Sequence, residues 1–286
     1  MILDGKVVAA SIKEQLKNEI EQYKNEVGRP PRLVIISVGD HPASKVYVRN
    51  KIKAAEEIGI KVSHFAMVED VEAEYVIDII KKFDDCDGVD GIMVQLPLPS
   101  HLDERVIIDA IDPAKDVDGL TTTNIGRLRS GQPCIKPCTA AGIIDLLKYY
   151  DIPIKHRDVV IIGRSNIVGK PIADLLMAEG ATITQCHSDT RFLKEKMENA
   201  HIIVSAVGKP NFINYDDFIG YKHTLIDVGI NRDIDGKLCG DIHCSRINNP
   251  RIDITPVPGG VGPVTVAELM KNTVECWRKN NGIYNK

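Results

Sequence analysis

Lys51 is the residue whose position asks for a chemical explanation. It lies in PASKVYVRNKIKAAEEI, residues 42 to 58, directly after an apolar run. Read as a helix at about 100° per residue, this stretch places Tyr47, Ile58, Lys51, Ala55, Val48 and Ile52 on one arc of about 140°, the expected buried face. Lys45, Arg49, Lys53, Glu56 and Glu57 fall on the other side. A lysine inside the apolar arc either lays its stem on apolar surface with the ammonium in water or is held where desolvation makes a lysine a proton acceptor. Gln95 is a polar group that could stand on the same rim, and Asp116 and Asp118 are two carboxylates whose role the residues alone leave open. Gln95 ends an apolar run and is followed by Leu96-Pro97-Leu98-Pro99; Asp116 and Asp118 stand in KDVDGL, where a carboxylate before glycine is commonly a turn former. A fourth place is Gly163 to Pro171, GRSNIVGKP, a glycine loop between a strand-like and a helix-like run.

The elements that must position these groups alternate. Residues 8 to 27 carry apolar positions at helical spacing, with Ser11 and Glu14 in capping-box spacing. Arg32 to Val38 reads as a buried parallel strand, 60 to 67 as a second strand, 71 to 83 as a helix and 89 to 94 as a third strand. That βαβαβ order predicts ligand binding beyond the carboxyl ends of its strands, the rim that carries the 38 to 42 loop and Gln95. A helix over 103 to 111 precedes a polar segment, AKDVDGLTTTNIGRL, that reads as a hinge between two domains.

A second α/β unit follows, with strands at Asp158 to Ile162, Thr182 to Cys186, 201 to 206 and 224 to 228. Gly163, Ser165 and Gly169 form a variant of the dinucleotide turn G-x-G-x-x-G with one extra residue before the last glycine. Where an NAD enzyme usually presents an acidic residue to the ribose, this chain has His187 and Ser188, with Arg164 and Arg191 near. Those groups suit a 2′-phosphate and hence NADP, with Asp189 as the dissenting carboxylate. Gly208 and the Gly229-Ile230-Asn231 turn mark rim loops. PVPGGVGPVT, with Pro258, Gly259 and Gly262, reads as a ligand-clamp loop outside helix and strand, and Thr265 with Glu268 as the capping box of the last helix.

Composition bounds the partners. The 286 residues are 43% hydrophobic and 27% charged, with net charge −4 and no basic run with interleaved aromatics, which argues against nucleic acid. No stretch approaches the roughly 18 apolar residues of a membrane span, and no basic apolar leader opens the chain. Seven cysteines without a C-x-x-C give no disulfide framework, and Cys239, His243 and Cys244 lack a second ligand pair, so the expectation is a cytoplasmic protein without metal.

Five segments together resemble the bifunctional methylenetetrahydrofolate dehydrogenase/cyclohydrolase family: VGDHPASKVYVRNK, DGIMVQLPLP, DPAKDVDGL, GRSNIVGKP and TPVPGGVGPVT, in the family's order and spacing. The resemblance implies two α/β domains with folate in the cleft between them. One is a catalytic and folate domain over 1–119 with the helix 266–286 packed back onto it; the other is a Rossmann-like NADP domain over 120–265. It implies that Lys51 is the catalytic lysine, Gln95 its hydrogen-bonding partner, Tyr47 the aromatic stacked along the folate and Asp118 the carboxylate holding the pterin. Leu96, Pro258, Gly259 and Gly262 are then folate contacts, and Gly163, Arg164, Ser165, Ser188, Ile230 and Thr265 cofactor positions. A homodimer is likewise implied. A shikimate-dehydrogenase-like enzyme is the rival reading, against which QLPLP and PVPGGVGP count. A monofunctional dehydrogenase of the same family should lack the lysine, and a non-catalytic NADP sensor should lack the Tyr47, Lys51, Gln95 and Asp118 set.

Overall fold

The computed structural model describes residues 1–215, 222–245 and 251–283; the expected end of the last helix, 284–286, lies outside them. The chain divides into two compact units, Ala10–Cys138 with Val266–Lys286, and Met1–Ala9 with Thr139–Thr265.

The first unit is built on helix α1 (Gly5–Val27), strand β1 (Arg32–Val38), α2 (Pro42–Glu57), β2 (Lys61–Met67), α3 (Ala73–Asp84), β3 (Gly91–Val94), α4 (Glu104–Asp109) and α5 (Thr122–Arg129). β1 lies between β2 and β3, parallel to both, with Leu33 level with Val62 and Gly91. A central parallel strand is covered on both faces, which is why LVIISV is apolar without alternation. The period of two divides its residues between two cores. Leu33, Ile35 and Met93 pack with Ile20, Ala55, Ile58 and Trp277; Val34, Ile36, Ile92 and Val94 pack with Ile79, Ile80 and Ile107 on the other face.

Trp277 is fully buried, and its Nε1 has no hydrogen-bond partner among the described residues. Trp277→Ala is therefore expected to cost about 3–5 kcal/mol in urea unfolding, from lost burial and an unfilled cavity. Trp277→Phe, which discards an N–H that has no acceptor, is expected to cost well under half of that.

Three sequence expectations change here. α1 begins at Gly5, after Asp4 Oδ1 accepts from the Lys6 N–H (2.8 Å), so Ser11 and Glu14 lie inside the helix and do not cap it. The segment read as a hinge is not a linker: Thr121 caps α5, its Oγ1 accepting from Asn124 N–H (3.3 Å), and Asn124 Nδ2 donates to Asp116 (2.9 Å). Residues 120–138 consequently stay with the first unit, and the chain divides at Cys138/Thr139 instead of 119/120. Residues 1–9 go with the second unit because Ile2 bridges Ile254 and Leu3 N–H donates to Ile254 O (2.8 Å).

The second unit continues with α6 (Cys138–Tyr149), β4 (Asp158–Ile162), α7 (Gly169–Ala178), β5 (Thr182–Cys186), α8 (Leu193–Glu198), β6 (Ile202–Ser205), β7 (Ile213–Asn214), β8 (His223–Asp227), β9 (Asn231–Arg232), β10 (Leu238–Cys239), β11 (Ile242–His243) and β12 (Ile252–Ile254). Among the described residues its main sheet runs β12-β8-β6-β4-β5, all parallel, and the order reverses between β4 and β6. The last helix, α9 (Val261–Asn280), starts earlier than PVPGGVGP suggests. Gly262 and Pro263 fall in its first turn, where an N–H has no intrahelical acceptor and proline costs little. Thr265 is thus within the helix, its Oγ1 donating to Val261 O (3.2 Å).

Candidate active site

The lysine, amide and carboxylate picked out in the sequence meet within the first unit. Lys51 projects from α2 and donates from Nζ to Gln95 Oε1 (3.1 Å) and lies 3.5 Å from Met93 Sδ. Gln95 extends the ladder beyond β3, its N–H donating to Ile36 O (2.8 Å). Its side-chain Nε2 is engaged with Leu96 O (2.6 Å), so the amide turns its oxygen to the lysine. Gln95 is buried and Lys51 half-buried. The ammonium is therefore aimed at a buried acceptor, which a lysine merely reaching for water would not require.

Asp118 arrives by a fourth strand-like segment. Ile92 N–H donates to Lys115 O (2.7 Å), and Ile92 bridges Asp116 in parallel, so residues 115–117 run beside β3. The approach is close enough that a Cβ on Gly91 would lie 2.3 Å from Val117 Cγ1. The two carboxylates then separate in role. Asp116, buried, accepts at Oδ1 from Gly119 N–H (2.9 Å) and Leu120 N–H (3.2 Å), and at Oδ2 from Thr121 N–H (2.8 Å) and Asn124 Nδ2 (2.9 Å). It is the turn former. Asp118 is held from both sides instead. Val117 O accepts from Cys138 Sγ (3.2 Å) and Asn272 Nδ2 (2.9 Å), while Gly119 at φ +70° lies so near the Lys136–Pro137 backbone that a Cβ would fall 2.6 Å from Lys136 C. Burial raises the Asp118 carboxyl above its usual range; the Lys51 charge opposes this, and Asp116 adds to it. Burial and the neighbouring Asp118 push the Cys138 thiol well up, so it serves as a neutral hydrogen-bond donor.

Tyr47 departs from the helical-wheel expectation. Val48, Ala55 and Ile58 are buried, but Tyr47 is 40% exposed, its ring open to a flat partner. Cys138 and Asn272 escape sequence reasoning, since their partners lie 21 and 155 residues away. Leu96, beside Gln95, is half-buried.

The second unit carries the glycine loop at the carboxyl end of β4. Gly163 (φ +123°) would place a Cβ 2.5 Å from Ala206 O, and Gly169 one 2.4 Å from Gly163 O, so both must lack side chains. The extra residue is absorbed by a turn at 166–168, across which Ser165 Oγ accepts from Val168 N–H (3.2 Å) and Gly169 N–H (3.3 Å). Ser165 thereby caps the start of α7, its own carbonyl accepting from Lys170 N–H (3.0 Å). Arg164 and Ser188 are exposed at the end of β5, and Asp189 Oδ2 lies 3.9 Å from Arg164 Nη2 and 3.5 Å from His187 Nδ1. With the dissenting carboxylate engaged by two basic groups, the donor set fits NADP. Ile230 is 49% exposed, and its Cδ1 is 3.8 Å from where a Gly262 Cβ would stand. Pro258 is exposed; Gly259 O accepts from Gly5 N–H (2.9 Å), and Thr265 Oγ1 is 3.4 Å from Thr139 Oγ1.

Comparison with known proteins identifies both units. Residues 3–118 match the model of the tetrahydrofolate dehydrogenase/cyclohydrolase catalytic domain and 137–281 that of its NAD(P)-binding domain. The bifunctional protein FolD of Agathobacter rectalis is 46% identical over 97% of this chain and 99% of its own. The crystal structure of the bifunctional FolD enzyme from Campylobacter jejuni superposes with a TM-score of 0.94 at 41% identity, covering 98% of this chain and 99% of that one. That of the Trypanosoma brucei FolD, complexed with NADP cofactor and inhibitor, does so with 0.90 at 36% identity, covering 98% and 97%. A catalytic-domain match that contains Lys51, Gln95 and Asp118, and an NAD(P)-domain match that contains the glycine loop, leave one assignment: the chain belongs to the tetrahydrofolate dehydrogenase/cyclohydrolase family.

Proposed function

We propose that this protein oxidises 5,10-methylenetetrahydrofolate to the 5,10-methenyl compound with NADP and then hydrolyses that product to 10-formyltetrahydrofolate. The observation that carries the reading is the Lys51 ammonium directed at Gln95 Oε1 with Asp118 fixed close by. Bound NADP would take up the hydride released from the folate methylene carbon. Tyr47 offers its exposed ring as a platform for the folate, and Asp118 accepts paired N–H donors of the pterin, which fixes the reacting carbon in place. In the hydrolytic step water forms a bond to the methenyl carbon while the Lys51 amine, its own proton first released, takes the proton that the water gives up. The bond from that carbon to N5 then breaks, N5 is protonated, and the formyl group stays on N10. Gln95 keeps the lysine amine pointed at this water. Gly163, Arg164, Ser165 and Ser188 hold the phosphates and ribose of NADP, with Ile230 and Thr265 at its other end; Leu96, Pro258, Gly259 and Gly262 touch the folate.

We also take the protein to act as a cytoplasmic homodimer. The family resemblance and the odd cysteine count without paired motifs support this, and among the described residues no helix is long and apolar enough to cross a membrane. Light scattering on purified protein tests the dimer.

The catalytic reading is tested by absorbance on purified protein given 5,10-methylenetetrahydrofolate and NADP, following NADPH and the methenyl compound together. NADPH formation without lasting methenyl is expected. Folded protein with neither activity would sink the proposal.

A further inference from the structure

The loops beyond β6 and β8 are gathered by a carboxylate behind them. Asp241, fully buried, accepts at Oδ2 from Ser205 Oγ (3.1 Å), Val207 N–H (2.8 Å) and Gly208 N–H (3.2 Å), and at Oδ1 from Lys209 N–H (3.0 Å) and Asn231 Nδ2 (2.9 Å). Its own N–H donates to Asp227 Oδ1 (2.9 Å), a second buried carboxylate that also accepts from Gly229 N–H (3.1 Å) and Ile242 N–H (2.8 Å). The fit is tight, since a Cβ on Gly229 would lie 2.0 Å from Asp241 Oδ1 and one on Gly240 1.9 Å from Asp227 Oδ2.

Burying a carboxylate is costly unless donors surround it, and well-packed apolar residues often serve a core as well or better. Asp241 meets that cost with donors drawn from two separate loops, so what it determines is where those loops stand. Their place in the sheet says what they stand around. The strand order reverses between β4 and β6, and ligands of open α/β sheets lie across that reversal at the carboxyl ends of the strands. α7 and the end of β5, on one side, take the pyrophosphate and the adenosine half; β6 and β8 face the remaining half. Ile230 lies between Gly229, whose N–H is bound by Asp227, and Asn231, bound by Asp241.

We propose that Asp241 is a positioning residue for the cofactor: it sets residues 207–209 and 229–231 in the shape that receives the nicotinamide half of NADP. This rests on the nucleotide-binding reading given above. Two variants test it, Asp241→Asn, which turns half of an all-acceptor group into a donor, and Asn231→Ala, which removes one tie and leaves the carboxylate in place. Three properties are compared with wild type: NADPH affinity by fluorescence titration, hydrolysis of 5,10-methenyltetrahydrofolate without nucleotide, and melting temperature.

With hydrogen bonds to a charged group lost, Asp241→Asn is expected to bind NADPH at least about ten-fold more weakly and Asn231→Ala about three-fold, hydrolysis staying within about two-fold in both. Unchanged NADPH affinity in Asn231→Ala, or in a folded Asp241→Asn, overturns the proposal. So does a parallel fall of affinity, hydrolysis and melting temperature in Asn231→Ala, which would make the network a support of the fold alone. Wild-type protein that fails to bind NADPH would overturn instead the reading on which the proposal rests.

Discussion

Lys51→Met is expected to yield a protein that still reduces NADP but lets the methenyl compound accumulate. Methionine keeps the length and apolar stem of the side chain, so packing on α2 changes little. It has no proton to give Gln95 Oε1 and no lone pair basic enough to take one from water. General acid–base catalysis by a positioned side chain contributes about 10²–10⁴-fold, and that is the expected loss in methenyl hydrolysis. The dehydrogenase step needs the two ligands held in register more than it needs a base, so its loss should be far smaller. Absorbance measurements that follow NADPH and methenyl together separate the two steps in one assay. Equal methenyl accumulation by wild type and variant would mean that the lysine only covers apolar surface and that the enzyme is a dehydrogenase alone. Gln95→Leu should resemble a milder Lys51→Met, because it leaves the amine in place but no longer directs it.

How far the site is legible in the sequence depends on whether each signal is local. Lys51 is legible because a helix has a fixed period, and a cation on the wrong side of it stands out. The same wheel misplaces Tyr47, which lies at the edge of the arc, where about 20° decides between core and solvent. Strands β1, β4 and β6 are readable as apolar runs because these strands are covered on two faces. The two capping-box spacings mislead, since Asp4 and the Val261 turn start their helices earlier and the spacing alone does not say which turn is first.

Nothing local distinguishes Asp116 from Asp118. Both precede small or apolar residues in one short loop, and only the backbone path, which aims the N–H groups of residues 119–121 at Asp116, assigns the turn to one and leaves the other available. Asp241 is a stronger case: its side-chain partners lie 10 and 36 residues away, beyond any motif.

That division of labour between the two carboxylates makes Asp118→Asn the second large effect, and its signature differs from that of Lys51→Met. The amide keeps the shape of the side chain, and the Asp116 and Asn272 contacts that fix the turn are untouched. What is lost, on the function proposed above, is the negative charge that would accept the paired N–H donors of the pterin. Hydrogen bonds to a charged group are worth about 1.5–3 kcal/mol, so kcat/KM for folate should fall about 10- to 150-fold in both reactions together, with NADPH affinity unchanged. A fall confined to one reaction would remove Asp118 from pterin binding. The pH dependence gives a second check. Burial holds the Asp118 carboxyl above its usual range, so in wild type kcat/KM for folate should decline as pH drops through a value above that of an ordinary aspartate, because the protonated group no longer accepts both donors. The amide of the variant has no proton to gain, and the acid limb attributable to this carboxylate should be absent from the variant's profile. Persistence of the same limb in Asp118→Asn would assign it to another group.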